Sequence, residues 1–290
     1  MGKALADTYP AARRVFEEAD DTLSFPISRL CFEGPEDQLK LTENTQPALL
    51  TVSTAAFAVL HENGMIPDFV AGHSLGEYSA LVAAGSLQFA DAVTLVRNRG
   101  RYMQEAVPAG VGAMAAILKL PEGKLDAVLE QAAQGEVVSA ANLNTPEQVV
   151  IAGHSGAVNR AIELAKAAGA RRGVLLPVSA PFHCALMKPA QERLRADLDA
   201  TEFRDLTIPL VNNWQAAEVR AGAEAREGLY QQVPNPVRWV ESVRRLAALG
   251  VVRWVEVGAG GVLTGLLRGI DPSVAGLRFG EPADLAALEP

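Results

Sequence analysis

Cysteine is scarce in this chain: Cys31 and Cys184 stand alone among 290 residues. Two thiols cannot build the disulfide framework of a small secreted domain, so a reducing cytoplasm is the expected setting. No run of about 18 apolar residues occurs that could form a membrane-spanning helix, and no secretory signal pattern is visible. The four histidines, His61, His73, His154 and His183, show no metal-ligand spacing with cysteine or carboxylate, so no metal is expected. Basic residues are outnumbered, 26 Lys and Arg against 34 Asp and Glu, for a net charge of −8. That balance argues against nucleic acid or a membrane surface as partner. Internal repeats and low-complexity segments are also missing. The rest is ordinary globular composition, 49% hydrophobic and 21% charged, long enough for one large domain or two unequal ones.

The stretch that organises the chain is Phe69-Val70-Ala71-Gly72-His73-Ser74-Leu75-Gly76-Glu77-Tyr78-Ser79-Ala80. An apolar run ends in Gly-x-Ser-x-Gly, and an Ala- and Leu-rich helical stretch follows. This is the strand, sharp turn and helix that a nucleophile elbow requires. The two glycines are expected to let strand and helix pass closely around a strained Ser74. At a helix N-terminus, free N–H groups and the helix dipole favour a developing oxyanion. The alternative, a serine that merely caps a buried helix, explains less of this context.

Along the chain, helices are expected at the start and from Pro10 to Ala19, with residues 21–45 loop-like. A long apolar helix capped near Thr45 runs to Gly64 and is expected to lie buried against a sheet. Phe89 to Val107 reads as helix, with Arg97, Arg99 and Arg101 pointing in different directions, so that one of them can turn inward. Residues 111–179 carry a βαββαβ pattern: strands at 112–118, 137–142, 148–152 and 173–178, helices at 125–133 and 157–168, and a turn at Asn144-Thr145-Pro146. That order is the ferredoxin-like unit, expected as a small subdomain inserted into a core made of residues 1–110 and 180–290. The loop Ser179 to Met187 follows, then a strand at 208–211, helices near 227–232 and up to Gly250, a strand at 251–257 and a last helix. Strands alternating with helices imply an α/β class with a largely parallel core sheet.

A serine nucleophile needs a base, and His183, in a loop constrained by Pro181 and Phe182, is the best candidate. A buried structural histidine fits the residues equally. His73 adjoins the serine, but neighbours at an elbow diverge; His61 and His154 sit by turn signals and read as solvated. No carboxylate between Ser74 and His183, Asp91 and Asp126 included, has a distinctive setting, which leaves room for a backbone carbonyl as the orienting group. The run from Gly258 is no dinucleotide fingerprint, because Leu263 stands where the third glycine belongs.

Eight segments in order make the chain resemble the bacterial malonyl-CoA:acyl carrier protein transacylases over essentially its whole length. They are Thr45-Gln46-Pro47-Ala48-Leu49; the elbow itself; Arg99-Gly100 with Met103-Gln104; Gly112-Ala113-Met114-Ala115-Ala116; Val149-Ile151-Ala152-Gly153; Phe182-His183 with Met187-Lys188-Pro189-Ala190; Asn235-Pro236-Val237 with Trp239; and Glu256-Val257-Gly258. The resemblance implies an α/β-hydrolase-like core plus a ferredoxin-like subdomain. It implies Ser74 as the acylated residue, His183 as its base and the Gln232 backbone carbonyl as the group orienting that base. The N–H of Leu75 is implied as an oxyanion donor and Arg99 as the holder of the malonyl carboxylate. Met103, Asn142, Asn144 and Phe182 are implied along the substrate cleft. Phe182 and Leu75, flanking the pocket, suggest unbranched malonyl.

The implied substrates are coenzyme A thioesters and the phosphopantetheine thiol of acyl carrier protein, with no cofactor and a monomeric chain. Docking of that acidic partner requires a local basic patch, for which Lys166, Arg171, Arg172 and Lys188 are candidates. Family members begin with a strand and a Pro-Gly-Gln-Gly-Ser-Gln loop that supplies a second oxyanion donor. Met1 aligns just after it, so a less soluble and less active chain is the expectation for the sequence as written. The rival functions are a serine esterase or thioesterase, against which a buried Arg99 would speak, and a catalytically weak scaffold for acyl carrier protein.

Overall fold

The computed structural model describes residues 1–178 and 180–288. Ser179 and the last two residues, which the sequence reading assigned to a loop and to the core, lie outside the described residues.

The helix Thr42–Glu62 runs through the main core. Its Leu50, Val52, Ala55 and Ala56 are fully buried. It is enclosed mainly by other helices, Pro10–Leu23, Ile27–Glu33, Leu75–Ala83 and Phe89–Glu105, and its contact with the strand Trp254–Val257 is slight. The expected burial against a sheet is thus burial among helices. Thr45 does not cap it: its hydroxyl donates to the carbonyls of Leu39 (2.5 Å) and Leu41 (3.1 Å), and the helix already starts at Thr42. Residues 21–45 are also not loop-like. Ile27, Leu30 and Cys31 fall at i, i+3 and i+4 and are buried on a short helix that Pro26 and Pro35 bound.

The helix Phe89–Glu105 crosses the start of Thr42–Glu62 at Gly100. A Cβ there would lie 2.6 Å from the Thr42 carbonyl oxygen and 2.7 Å from Glu43 Cα. Only glycine permits this approach, and it sets Arg99 against Gln46.

Four strands form one antiparallel sheet: β1 (Gly112–Leu118), β2 (Val138–Thr145), β3 (Gln148–His154) and β4 (Arg172–Leu175), in the order β2-β3-β1-β4. β2 carries through the expected turn at Asn144 and Thr145, and the chain reverses at Pro146 and Glu147. Side chains alternate across the sheet. Ala115, Ile117 and Ile151 face the helices Leu125–Ala133 and Ser155–Ala167, packing on Val128, Val158 and Ile162. Met114, Ala116, Val150 and Ala152 face the other way, onto Phe182, Cys184 and Leu186. One face of this sheet therefore supports the loop that carries His183. β2 is also tied to the core: Leu143 N–H donates to the Val237 carbonyl (2.9 Å), and Val237 N–H to that of Ala141 (2.9 Å).

The remaining strands are short. β5 (Leu210–Val211) pairs antiparallel with β6 (Glu218–Val219), and β7 (Trp254–Val257) pairs parallel with β8 (Gly276–Phe279). Val70 makes a parallel bridge to Leu210. It cannot lengthen into a ladder, because Pro209 has no N–H to donate and the chain turns at Gly72. The α/β class is found, with parallel pairing among the described residues confined to β7–β8 and to two isolated bridges, Val70 to Leu210 and Asn142 to Val237. No described helix is long and apolar enough to cross a membrane.

Candidate active site

Ser74 ends the short extended run from Phe69 and caps the helix Leu75–Ala83, with φ 52° and ψ −107°. A residue with a side chain rarely adopts that conformation. Gly72 makes it possible: a Cβ there would lie 1.9 Å from the Gly76 carbonyl oxygen. An added Cβ at Gly76 meets nothing within 4 Å, so close approach demands only the first of the two glycines. Asn213 clasps the turn from behind. Its Oδ1 accepts from Ser74 N–H (2.6 Å) and its Nδ2 donates to the Gly72 carbonyl (2.7 Å).

His183 sits in the loop before the helix Lys188–Ala200, itself at φ 58°. Its Nε2 lies 2.7 Å from Ser74 Oγ and its Nδ1 2.9 Å from the Gln232 carbonyl oxygen. A carbonyl only accepts, so Nδ1 is assigned the hydrogen and Nε2 accepts from the serine hydroxyl. Burial first, then the Arg99 guanidinium, pushes the imidazole down to about 3. The ring is neutral and able to take a proton at neutral pH.

Arg99 is 2% exposed. Its Nη1 donates to Gln46 Oε1 (2.6 Å), and its Nη2 to Gln232 Oε1 (2.9 Å) and Ser74 Oγ (3.1 Å). Its Nε has no partner. Of the three arginines on this helix, Arg97 instead stacks on Phe25, and the exposed Arg101 lies over Tyr102.

Three side chains that sequence reasoning did not single out complete the site. Gln46 fixes Arg99, donates to Thr42 Oγ1 (3.0 Å) and touches Met103 Sδ (3.9 Å). Asn213 holds the elbow. Glu77, fully buried, accepts at Oε2 from Asn213 N–H (2.9 Å) and Gln232 Nε2 (2.8 Å). Burial raises its carboxyl to about 7, against the lowering effect of those two bonds and of Arg99. Asn213 and Glu77 leave in the sequence only the paired amides Asn212-Asn213 after a buried strand and a carboxylate one turn beyond the serine, whereas Gln46 stands in the segment Thr45 to Leu49 that carries part of the resemblance.

The structure thus joins Ser74, Arg99, His183 and Gln232 by direct hydrogen bonds. Leu75 is the first helical residue, so its N–H has no carbonyl one turn earlier to bond. Met103 is buried beneath Gln46. Asn144 reaches the elbow from the small sheet, its Oδ1 2.9 Å from His73 Nε2. Asn142 is buried in β2 beside its bridge to Val237, and Phe182 packs against both the main core and the sheet. His154 is not solvated as expected: it is half-buried, and its Nδ1 accepts from Val137 N–H (2.9 Å).

A family model described as acyl transferase domain matches residues 1–270. The malonyl CoA-acyl carrier protein transacylase of Bacillus subtilis is 48% identical over 283 residues, 97% of this chain and 89% of that protein. Its Escherichia coli counterpart is 48% identical over 284 residues, 98% of this chain and 92% of that protein. The crystal structure of an acyl carrier protein S-malonyltransferase from Vibrio cholerae superposes with a TM-score of 0.97 at 44% identity, covering 100% of this chain and 95% of that one. A malonyl-transacylase solved in complex with its type II PKS acyl-carrier protein gives 0.96 at 44% identity, covering 99% of this chain and 93% of that one. With a serine elbow and its histidine in place and most of its length matched, this chain belongs to the acyl transferase domain family.

Proposed function

We propose that this chain moves a malonyl group from malonyl-CoA to the phosphopantetheine thiol of acyl carrier protein through a malonyl-Ser74 intermediate, in fatty-acid synthesis in the cytoplasm. The observation that carries this reading is the buried Arg99 with its Nη2 3.1 Å from the Ser74 hydroxyl oxygen. A guanidinium in that position selects an acyl group that ends in a carboxylate, and its planar fork matches both carboxylate oxygens. A plain esterase gains nothing from a buried cation beside its nucleophile.

Ser74 Oγ attacks the thioester carbonyl as His183 Nε2 takes its proton. The Gln232 carbonyl holds the ring through Nδ1 while it is charged. The Leu75 N–H faces the developing oxyanion, assisted by the helix dipole. Collapse expels the coenzyme A thiolate, which recovers the proton from His183. In the second half-reaction His183 deprotonates the carrier thiol, which attacks malonyl-Ser74 and regenerates the serine. Every side chain in the scheme comes from one chain, and no step calls on a metal or cofactor. Phe182 and Leu75, which the resemblance places at the flanks of the pocket, favour unbranched malonyl.

The test is intact-mass measurement after mixing with malonyl-CoA. A malonyl adduct that Ser74→Ala abolishes, and that carrier protein discharges, is the expected result. Arg99→Ala should cut malonyl transfer far more than acetyl transfer. Without an adduct the scaffold reading gains; an adduct discharged by water alone points to a thioesterase.

A further inference from the structure

Glu77 has no part in the scheme above, yet it lies at its centre. The carboxyl is fully buried, and its two oxygens differ: Oε2 accepts from Asn213 N–H and Gln232 Nε2, while Oε1 has no donor. The side-chain amide of Gln232 joins it to Arg99, because the same amide accepts from Arg99 Nη2 at its oxygen. No direct ion pair links Glu77 and Arg99. They are the two opposite charges of a buried cluster, held apart by one amide.

Other charge near Glu77 is sparse among the described residues. Arg99 faces it from the helix Phe89–Glu105, and Tyr78 adjoins it on its own helix, its hydroxyl held up at about 12 by burial. The loop after β5 offers the amides Asn212 and Asn213. The helix Gly222–Gln232 offers Gln232, while its Arg226 pairs with Asp199 and its Glu227 with Arg195. His183 makes no direct hydrogen bond to Glu77 among the described residues; Gln232 stands between them on one side, and Ser74 with Asn213 on the other.

A malonyl group on Ser74 brings a second carboxylate to Arg99. Two buried carboxylates would then share one guanidinium, and burial keeps the surplus charge from bulk solvent. We propose that Glu77 takes up a proton on Oε1 as the malonyl carboxylate settles on Arg99, and releases it when the malonyl group leaves. This rests on the malonyl reading above. The proton comes from solvent and returns there, so the cycle consumes none. Acylation itself converts a thioester and a hydroxyl into an ester and a thiol, with no net proton. An acetyl group brings no carboxylate and requires no uptake. Glu77 is thus a positioning and charge-balancing residue, and it never touches the substrate.

Proton uptake on one arm alone makes the balance between the two acyl-enzymes depend on pH. Wild-type protein is equilibrated with malonyl-CoA and coenzyme A, and separately with acetyl-CoA and coenzyme A, from about pH 7 to about pH 9. Intact mass gives the acylated fraction. The malonyl equilibrium constant divided by the acetyl one should fall about tenfold per pH unit above the Glu77 midpoint in the malonyl-free protein. Ionisation of the coenzyme A thiol cancels in that ratio. In Glu77→Gln, a neutral isostere, the ratio should be flat. A protonated-carboxyl band should appear in the infrared difference spectrum of wild-type protein on malonylation and not on acetylation, which needs no variant that folds. Adducts from both thioesters with a flat ratio in the wild type would overturn this proposal and leave the malonyl reading intact. A slope that persists in Glu77→Gln would overturn it too, since the proton would then sit elsewhere. No malonyl adduct at any pH would instead remove the reading on which it rests.

Discussion

His183 is held by Gln232 through one hydrogen bond, 2.9 Å from ring Nδ1 to the main-chain carbonyl. A carbonyl fixes the ring's tautomer and direction, as a triad carboxylate would, but it carries no full charge. It raises the imidazole's proton affinity only weakly, so burial and Arg99 prevail and the ring stays neutral. The same residue's side chain serves the other half of the site, accepting from Arg99 (2.9 Å) and donating to Glu77 (2.8 Å) and the Ser74 carbonyl (3.1 Å).

These two duties separate in Gln232→Ala. The main-chain carbonyl survives, so His183 should keep its orientation. Arg99 loses an acceptor and Glu77 a donor, and each buried group left unpaired costs about 1–3 kcal/mol. Urea denaturation should show a loss in that range or somewhat above it. Malonyl transfer should fall at least about tenfold more than acetyl transfer, because the displaced group is the cation proposed to hold the malonyl carboxylate. Equal losses for the two thioesters would show that the side chain serves only the fold.

How much of this was legible in the sequence depended on how local each signal is. The elbow was, because its glycines, its apolar approach and its helix all lie within a dozen residues. Arg99 was harder. Spacing left Arg97, Arg99 and Arg101 open, and what turns Arg99 inward is the close crossing at the next residue, Gly100. Glu77 was not legible: one turn into a helix, it reads as a charge favoured by the dipole, and its meaning comes from Asn213 and Gln232, both remote in the chain. Residues 21–45 misled because short helices between prolines carry too few turns for the 3.6-residue period to stand out. The core sheet was overestimated for a similar reason, since apolar runs signal burial whether or not a ladder forms.

Glu77 and His183 should leave opposite marks on stability against pH. The imidazole falls from 6.5 to about 3 on folding. Its contribution is therefore present above 6.5 and lost as pH falls toward 3. The carboxyl rises from 4.5 to about 7, so its contribution is present below 4.5 and lost as pH rises through 7. Between about 4.5 and 6.5 the two slopes oppose each other. Glu77→Gln removes one of them, and the stability of that variant should rise with pH across this window by about 1.4 kcal/mol per unit relative to wild type. His183→Ala should show the reverse difference. Urea titrations at several pH values decide it, and parallel curves for all three proteins would contradict the assignment.

Gly72 and Gly76 should respond differently to alanine although the motif treats them alike. At Gly72 the added carbon would lie 1.9 Å from backbone that cannot move without unmaking the elbow. Gly72→Ala should destabilise by at least about 3 kcal/mol or abolish soluble protein. At Gly76 the carbon enters open space in a helix, where alanine is favoured over glycine by up to about 1 kcal/mol. Gly76→Ala should keep or raise the melting temperature. Similar losses at both positions would show that the elbow's tightness is shared.

Docking of acyl carrier protein needs positive charge on a chain whose total is −8. Arg171 and Arg172 lead into β4, an edge strand, and both are exposed. Leu175 and Val178, 49% and 41% exposed, follow on the same segment and give it an apolar component. Lys188 is exposed where the helix after His183 begins. Lys166 is the weakest of the four, since Glu163 pairs with it at 2.7 Å. Neither arginine takes part in a salt bridge within 4 Å among the described residues, so their charge is available to an acidic partner. Reversing both to glutamate should raise the KM for carrier protein at least about tenfold and leave that for malonyl-CoA within about twofold, because rim charges act mainly on encounter. The wild-type KM for carrier protein should also rise with salt, as screening shortens the reach of these charges to about 8 Å at physiological ionic strength. The reversed protein should lose most of that salt dependence. If carrier protein binds the variant with unchanged KM and unchanged salt dependence, the arginines are solvated surface and the partner docks elsewhere.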